Sequence, residues 1–299
     1  MLKRIVDFVE DNRTPHHIVL EYMKKRKRME KIQNRELDDI ELEVVLTFDV
    51  EYDFGDPGRG AEKWVEPFLS RIRHELDVPK TFFMQANLIS KHRKELRTLE
   101  REGDEIALHC WAHEPWGSAW FIKDRVAKHR QELMKKCLLE FRKAGLKKPK
   151  AFRAPYMVLD KEGFDVVKEA GFSVDSSYPS FRKPGFAIGD SHGIVEIPVS
   201  SDPLPSIGVC GSRYIVLNMH NLATLGMEHM LEHASNILKT QMVGGLKLNL
   251  VLLGHSWEFF RSDRAFVNSE KNFSLLKEFV GRLNQKYKVR MVRISDLVE

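Results

Sequence analysis

Residues 42–51 read Leu-Glu-Val-Val-Leu-Thr-Phe-Asp-Val-Glu, an apolar and β-branched run that ends in two acidic side chains. Such a run predicts a buried strand. Side chains alternate along a strand, so Asp49 and Glu51 share one face while Val50 points to the other. One of the two carboxylates could bind a cation while the other stays free as a base, and the simpler alternative is that either caps the following loop.

The same kind of run recurs along the chain, and longer amphipathic stretches separate most of the runs. This alternation predicts an α/β protein with parallel strands joined by helical crossovers. The predicted strands are 42–49, 80–86, 104–108, 150–153, 172–175, 213–219, 248–254 and 288–293, and the predicted helices include 64–76, 121–144, 226–242 and 268–286. The eight strands could close into a barrel, one of them could lie outside it, or they could form an open doubly wound sheet.

The chain before the first strand has a different character. Residues 1–40 are heavily charged, have a helical pattern and contain no strand-like run, so we expect a helical N-terminal extension followed by the barrel at 41–299. Acidic residues interrupt the first eleven positions, where a signal peptide would need an apolar core, and no segment is long and apolar enough to cross a bilayer. We therefore expect a cytoplasmic protein.

Composition narrows the classes of partner. The 299 residues include 48 Lys and Arg against 43 Asp and Glu, and the formal net charge of +5 is too small and dispersed for a nucleic-acid-binding protein. Three cysteines are too few and too far apart for a disulfide framework or a thiolate metal cluster. The basic run Lys24–Arg28 could contact an anionic membrane surface, but a solvated helix face is the simpler interpretation.

Polar residues stand at the ends of the predicted strands. They are Asp49, His109, Arg153, Asp175, His220 and His255. The carboxyl ends of parallel strands meet at one rim of a barrel, where barrel enzymes place their sites. We therefore expect these side chains, although far apart in sequence, to converge on one pocket.

Two histidine pairs have a spacing of four residues, which can present two imidazoles to one ion. His109 and His113 follow a predicted strand, so we interpret them as candidate metal ligands, with a hydrogen-bonded core histidine as the alternative for His109. His229 and His233 point away from the apolar stripe of a predicted helix, so we interpret them as a solvated face. Two imidazoles leave a divalent ion short of ligands, and the acidic pair of the first strand offers the missing carboxylate.

Five ordered motifs resemble those of the polysaccharide deacetylases, the NodB-homology type of carbohydrate esterase family 4. They are Thr47-Phe48-Asp49-Val50-Glu51, His109-Cys110-Trp111-Ala112-His113, Arg153-Ala154-Pro155-Tyr156, Asp175-Ser176-Ser177 and Leu253-Gly254-His255. The resemblance spans roughly residues 41–297 and rests on the order and spacing of the motifs together. It implies a distorted (β/α) barrel of the TIM type, commonly with seven strands.

The resemblance implies one divalent metal ion held by His109, His113 and an acidic residue of the first motif. The commonest first motif has adjacent aspartates, whereas Val50 occupies the second position here. We therefore expect Glu51 to be the ligand and Asp49 to be the catalytic base, although the sequence leaves open which carboxylate binds the metal. Zinc is the expected ion, with cobalt, nickel, manganese and iron as alternatives.

The other motif residues also receive roles from the resemblance. Arg153 would orient and tune Asp49, and the backbone N–H of Tyr156 would help to bind the oxyanion. His255 would be the general acid, and Asp175 would support it.

These implications predict a hydrolase that removes an N-acyl group, foremost acetyl, from an amino sugar, with a cytoplasmic saccharide precursor as the expected substrate. Formylated amino sugars and small cyclic amides are alternative substrates within the same superfamily. A non-catalytic sugar-binding protein on the same scaffold is the alternative from another class, because the first motif is altered. The oligomeric state stays open.

Overall fold

The computed structural model describes residues 15–37, 39–52, 61–118, 123–178, 188–204, 206–208, 211–259 and 269–298. Strands β1 to β11 span, in chain order, Glu41–Val50, Thr81–Met84, Glu105–Leu108, Ala151–Phe152, Val174–Asp175, Gly189–Ser191, Ile194–Glu196, Ser206–Gly208, Gly211–Arg213, Asn249–His255 and Lys288–Met291. Helices α1 to α9 span Pro15–Ile32, Val65–Glu75, Ala86–Ile89, Arg93–Arg101, Arg130–Ala144, Lys161–Glu169, Met219–Leu225, Met227–Val243 and Ser269–Lys286. Short 3-10 helices span Ala61–Trp64, Pro155–Met157, Ser256–Phe259 and Ile294–Val298.

One large sheet organises the molecule, in the order β10-β1-β2-β3-β4-β5-β7-β6. Its described strands pair in parallel, except that β6 runs antiparallel to β7. Strand β1 pairs with three other strands. Its residues 43–49 pair with β10 along one edge, while residues 47–50 pair with β2 and residues 41–44 with β11. Since β10 pairs with residues 43–44 along one edge of β1, β11 must pair along the other edge. On that edge β11 and β2 pair with different parts of β1.

The sheet curls toward closure where the chain leaves β7. The N–H of Ser200 donates to Val251 O at 3.0 Å, and the N–H of Val251 donates to Ser200 Oγ at 2.9 Å. Leu253 N–H donates to Leu217 O at 3.0 Å, so β10 is bordered on this side as well. These bonds bring the two ends of the sheet together, and the expected distorted (β/α) barrel is confirmed.

The predicted sixth strand, 213–219, differs from the structure. Arg213 ends β9, and the rest of this segment makes only isolated bridges, from Val216 to Ser201 and from Asn218 to Leu253. Helix α7 then begins at Met219, because Asn218 Oδ1 accepts the N–H of Asn221 at 2.8 Å and caps the helix. The position in the sheet belongs instead to β7, whose three residues are too few for a period-2 signal.

Alternation along the strands separates an interior core from an outer core. The interior cluster contains Val45, Phe83, Ala107, Ala151, Val174, Ile197 and Val251. Leu46, Phe48 and Val50 of β1 belong to the outer cluster, between the sheet and the helices. Since Val45 points inward, the same alternation turns Asp49 and Glu51 inward at the carboxyl end of β1.

Helix α1 lies within the stretch predicted as an N-terminal extension, and residues 1–14 lie outside the described part of the chain. Lys24, Arg26 and Lys27 are exposed on α1, whereas Ile32 is buried. Within the described ranges, no helix combines the length and apolarity needed to span a membrane.

The close approach of β1 and β10 gives a testable prediction for Gly254. A Cβ atom at this position would lie 3.0 Å from Cδ1 of the Phe48 ring, which is itself packed between other rings. Gly254→Ala should lower the free energy of unfolding by about 1–3 kcal/mol through overpacking. The control is Gly281→Ala in α9, where a Cβ meets nothing within 4 Å and the free energy of unfolding should rise by about 0.5–1 kcal/mol. Urea denaturation measures both, and equal values for the two variants would contradict the prediction.

Candidate metal centre

Three side chains of metal-ligand type meet at the carboxyl ends of β1 and β3. Glu51, His109 and His113 each offer one ligand atom, and these atoms all lie within 4.8 Å of one another. His113 Nε2 lies 2.8 Å from Glu51 Oε2, and His109 Nε2 lies 3.3 Å from the same oxygen. The structure thus brings together the acidic residue of the first motif and the two histidines of the second.

The hydrogen bonds of this cluster leave its ligand atoms available. His109 Nδ1 lies 2.8 Å from Arg153 O, and because a carbonyl only accepts, Nδ1 carries the proton and Nε2 presents its lone pair. Glu51 Oε2 and His109 Nε2 are both buried and make no hydrogen bond of normal geometry with the described residues. Unpartnered buried polar atoms are costly, and a divalent cation bound by one carboxylate and two imidazoles fits this donor set.

The carboxylate of Glu51 is the negatively charged group of this cluster. Burial raises the pKa of this carboxyl, but the charge of His113 and the contacts with His109 and His255 bring it well below its ordinary value. Burial lowers the pKa of His109, while the carboxylates of Asp49 and Glu51 raise it above its ordinary value. An ionised carboxylate beside two imidazoles is the state that favours cation binding.

The loop that carries the two histidines has an unusual backbone. Cys110 and His113 have positive φ angles of 61° and 66°, a conformation that costs non-glycine residues about 1–3 kcal/mol each. Glu114 stabilises the loop, because its carboxylate accepts the N–H groups of Trp111 at 2.9 Å and Ala112 at 2.6 Å. The N–H of His113 donates to Cys110 Sγ at 3.0 Å. Sequence reasoning gave Glu114 no role in the site.

Asp49 lies beside the cluster and is held by Arg153. Arg153 is fully buried, and its Nη1 donates to Asp49 Oδ1 at 2.7 Å. The guanidinium also donates to Ser176 O at 3.2 Å and Ser176 Oγ at 2.9 Å, and it stacks on the ring of Phe83. Asp49 Oδ2 points the other way and lies 4.0 Å from His109 Nε2.

Tyr156 lines the rim next to His113. Its ring is 44% exposed and makes an edge contact with the His113 ring, with 4.6 Å between the centroids. The φ angle of Tyr156 is 60°. Among the described residues its N–H finds no acceptor.

His255 closes the other side of the site from the end of β10. Its Nε2 lies 4.0 Å from Glu51 Oε1, its ring stacks on Trp257, and its Nδ1 lies 3.3 Å from Glu258 Oε2. Burial lowers the pKa of His255, but the nearby carboxylates, first of all Glu258, raise it to about 9. His255 therefore carries a proton at neutral pH.

One known protein family matches part of the chain. Residues 38–174 match the family described as polysaccharide deacetylase. This segment, somewhat less than half of the chain, is similar to the polysaccharide deacetylase family. The resemblance found in the sequence motifs is thereby confirmed.

Solved structures of polysaccharide deacetylases and family 4 carbohydrate esterases resemble the chain. A polysaccharide deacetylase from Mycobacterium smegmatis is 19% identical, with a TM-score of 0.59 over 88% of this chain and 91% of that chain. A family 4 carbohydrate esterase from Streptomyces lividans, in complex with acetate, is 15% identical, with a TM-score of 0.47 over 84% and 92%. A family 4 acetyl xylan esterase from Clostridium thermocellum, in complex with cobalt, is 14% identical, with a TM-score of 0.49 over 85% and 89%. No protein with a curated description matches the sequence.

One expectation taken from the family needs correction, namely the support of His255 by Asp175. Val174 takes the interior position of β5, so Asp175 faces the outer layer. The Asp175 carboxylate accepts the N–H of Ser177 at 2.9 Å and its hydroxyl at 2.7 Å. The carboxylate beside His255 is therefore Glu258, which sequence reasoning did not consider.

Asp175 instead pairs with Glu196, its register partner on β7. Burial raises the pKa of both carboxyls, and the negative charge of Asp175 raises that of Glu196 further. Glu196 Oε2 is buried and has no hydrogen-bond partner among the described residues.

The second histidine pair is more buried than the helical pattern indicated. His229 is exposed, but His233 Nδ1 lies 2.6 Å from Oδ2 of Asp202, which is buried. A helical wheel describes one helix alone and contains no information about the segment packed beside it. The wheel therefore predicted that His233 faces solvent, whereas it faces Asp202. His220 is exposed at the start of α7.

The buried pair of Arg153 and Asp49 gives a prediction about stability. Arg153→Met should lower the free energy of unfolding by about 3–5 kcal/mol, because it leaves the Asp49 carboxylate buried without its partner. In an Asp49→Asn background the same change should cost less, since no charge is stranded. Chemical denaturation of the four proteins at pH 7 measures the difference. Equal costs in both backgrounds would show that the two residues are not coupled.

Proposed function

We propose that the protein is a metal-dependent deacetylase that hydrolyses the N-acetyl group of an amino sugar. The observation that carries the proposal is the convergence of Glu51, His109 and His113 beside a buried Asp49–Arg153 pair. This donor set lies at the carboxyl-end rim of a barrel whose residues 38–174 match the polysaccharide deacetylase family. In the proposed division of the chain, residues 41–299 form the catalytic barrel and residues 1–40 an extension.

Glu51 is the proposed acidic ligand, and Asp49 is the proposed base. Support comes from their contacts, since Glu51 Oε2 faces both imidazoles, whereas Asp49 Oδ1 is occupied by Arg153. Asp49 Oδ2 remains near the cluster, 4.0 Å from His109 Nε2. A glutamate one position beyond the usual aspartate points to the same face of the strand as Asp49, and its longer side chain reaches the histidines.

The chain supplies the groups that move protons. A bound divalent ion, zinc first with cobalt, nickel, manganese or iron as alternatives, would polarise the carbonyl and lower the pKa of water from about 15.7 toward about 7. Asp49 accepts the proton of the attacking water, and Arg153 keeps the carboxylate oriented for this step. The N–H of Tyr156 is available to the developing oxyanion, since no described residue accepts from it.

His255 is the proposed proton donor to the departing nitrogen. An amine leaves an amide only when it is protonated, so the donor must begin as an imidazolium. Glu258 supports this state, because its carboxylate contacts His255 Nδ1 and leaves Nε2 directed to the site.

Asp175 is proposed to act through the backbone of residues 154–156, which carries the proposed oxyanion donor, the N–H of Tyr156. Its carboxylate accepts the Ser177 hydroxyl, and Ser177 Oγ in turn accepts the N–H of Ala154 at 2.9 Å. Ala154 is followed by Pro155 and Tyr156, so this chain of hydrogen bonds positions the donor N–H. Asp175 is thus a positioning residue rather than a partner of His255.

A saccharide precursor in the cytoplasm is the proposed substrate, and the buried free thiols of Cys110 and Cys137 suit a reducing compartment. Formylated amino sugars and small cyclic amides are the competing substrates, because the donor set acts on the amide bond and not on the ring that carries it.

Product release and metal content test the proposal together. Purified protein should release acetate from N-acetylated amino sugars and hold about one divalent ion per chain, which a His109→Ala, His113→Ala double variant should lose. Asp49→Asn should keep the metal but lower kcat by about 10²–10⁴-fold, while Asp77→Asn in an exposed loop should retain full activity. Tight sugar binding without acetate, formate or ring-opened product would identify a sugar-binding protein instead.

The dependence of activity on pH tests the role of His255. Because the raised pKa of about 9 keeps the donor protonated, activity should fall on the alkaline side as this proton is lost. Glu258→Gln removes the carboxylate that raises this pKa, so the alkaline limb of the kcat profile should shift to lower pH. Glu278→Gln, an exposed carboxylate on α9, serves as the control. An alkaline limb that stays in place in Glu258→Gln would refute the pairing of Glu258 with the proton donor.

A further inference from the structure

We infer that Trp257 is a positioning residue that determines which oxygen of Glu51 faces the two histidines. This inference rests on the proposed function and adds a residue that none of the family motifs contains. Trp257 follows β10 in the 3-10 helix Ser256–Phe259, so it stands opposite Glu51 across the β1–β10 pair.

The contact that carries the inference is a buried hydrogen bond. The indole Nε1 of Trp257 donates to Glu51 Oε1 at 3.2 Å, and only 4% of Trp257 and 3% of Glu51 are exposed. An indole N–H can donate but not accept, so it engages the carboxylate and cannot itself serve as a metal ligand. With Oε1 occupied in this way, Oε2 is the oxygen presented to His109 and His113.

A glutamate ligand needs such a restraint more than an aspartate does. Its additional methylene gives a further rotatable bond, and holding a flexible side chain in one rotamer costs conformational entropy. His255 Nε2 lies 4.0 Å from Glu51 Oε1 and offers the carboxylate a competing partner. The indole N–H keeps Oε1 in place, so that rotation toward His255 does not withdraw Oε2 from the histidines.

Neighbouring contacts hold the backbone of Glu51 in the same way. Ser256 Oγ donates to Glu51 O at 3.3 Å, and the N–H of Glu51 lies 3.4 Å from Ser256 Oγ. Ser256 and Trp257 therefore fix the main chain and the side chain of one ligand. The Trp257 ring also stacks on His255, with 5.0 Å between centroids and 25° between planes, so it orients the proposed proton donor as well.

Two substitutions separate these contributions. Trp257→Phe keeps a flat ring against His255 but removes the N–H, so the metal-free protein should bind zinc about 10–100-fold more weakly. At saturating metal its kcat should fall less than that of Trp257→Leu. Trp257→Leu removes the ring as well, so kcat should fall even when the metal site is full.

The matched control is Trp116→Phe. Trp116 is also buried, and its Nε1 also donates to a glutamate oxygen at 3.2 Å. The acceptor is Glu114, which is not one of the three candidate metal ligands. Zinc affinity in this variant should stay near the wild-type value, because Glu114 keeps its two backbone donors. Isothermal titration of metal-free proteins gives the affinities, and thermal denaturation shows whether each variant is folded.

The outcomes separate this inference from the proposed function. Wild-type zinc affinity in Trp257→Phe, or an equal loss in Trp116→Phe, would overturn the role of Trp257 while leaving the deacetylase proposal intact. A wild-type chain that binds no metal through His109 and His113 would instead remove the proposed function. If Trp257→Phe does not fold, the wild-type protein still decides the matter, because zinc should shift the NMR resonance of the Trp257 indole N–H, and an unchanged resonance would refute the contact.

Discussion

The register between β1 and its two neighbours is the constraint on which the site depends. Asp49 stands opposite His255 on β10 and opposite Phe83 on β2, so the ends of three strands lie at one level. A shift of one residue would turn Asp49 and Glu51 into the outer hydrophobic layer, where Phe48 and Val50 now pack. The aromatic packing around Phe48 therefore protects the geometry of the polar residues on the opposite face of the same strand.

Burial at this rim gives each charge a defined partner. Arg153 has almost no access to water, and it is matched by Asp49, Thr47 and the two polar atoms of Ser176. Glu51 has two oxygens with different surroundings, one bonded to an indole N–H and the other facing imidazoles. A buried charge is costly when its partner is removed, so the site has few arrangements of comparable free energy. This restricts the orientation of the proposed base Asp49 and the proposed ligand Glu51.

The sequence predicted those parts of the site that depend on local periodicity. Strand β1 is long enough for its alternation to place Asp49 and Glu51 on one face, and the loop histidines follow a strand whose end was predicted correctly. Strand β5 contains two residues, so no periodicity could show that Asp175 faces outward. The contact of Glu51 with Trp257 joins residues 206 positions apart, and nothing local in the sequence marks such a partner. The contact of Asp49 with Arg153 joins residues 104 positions apart, and only the resemblance of the motifs to a known family led us to expect it.

Cys110 lies between the two candidate histidine ligands, yet its sulfur takes no part in the cluster. The side chain packs into the outer core and accepts the N–H of His113, and burial raises the pKa of the thiol well above its ordinary value. A protonated sulfur is a poor ligand for soft ions such as Cu(I), which thiolates select. Among the described residues, this cluster therefore presents only nitrogen and oxygen atoms to an incoming ion, and it lacks the thiolate that would favour Cu(I).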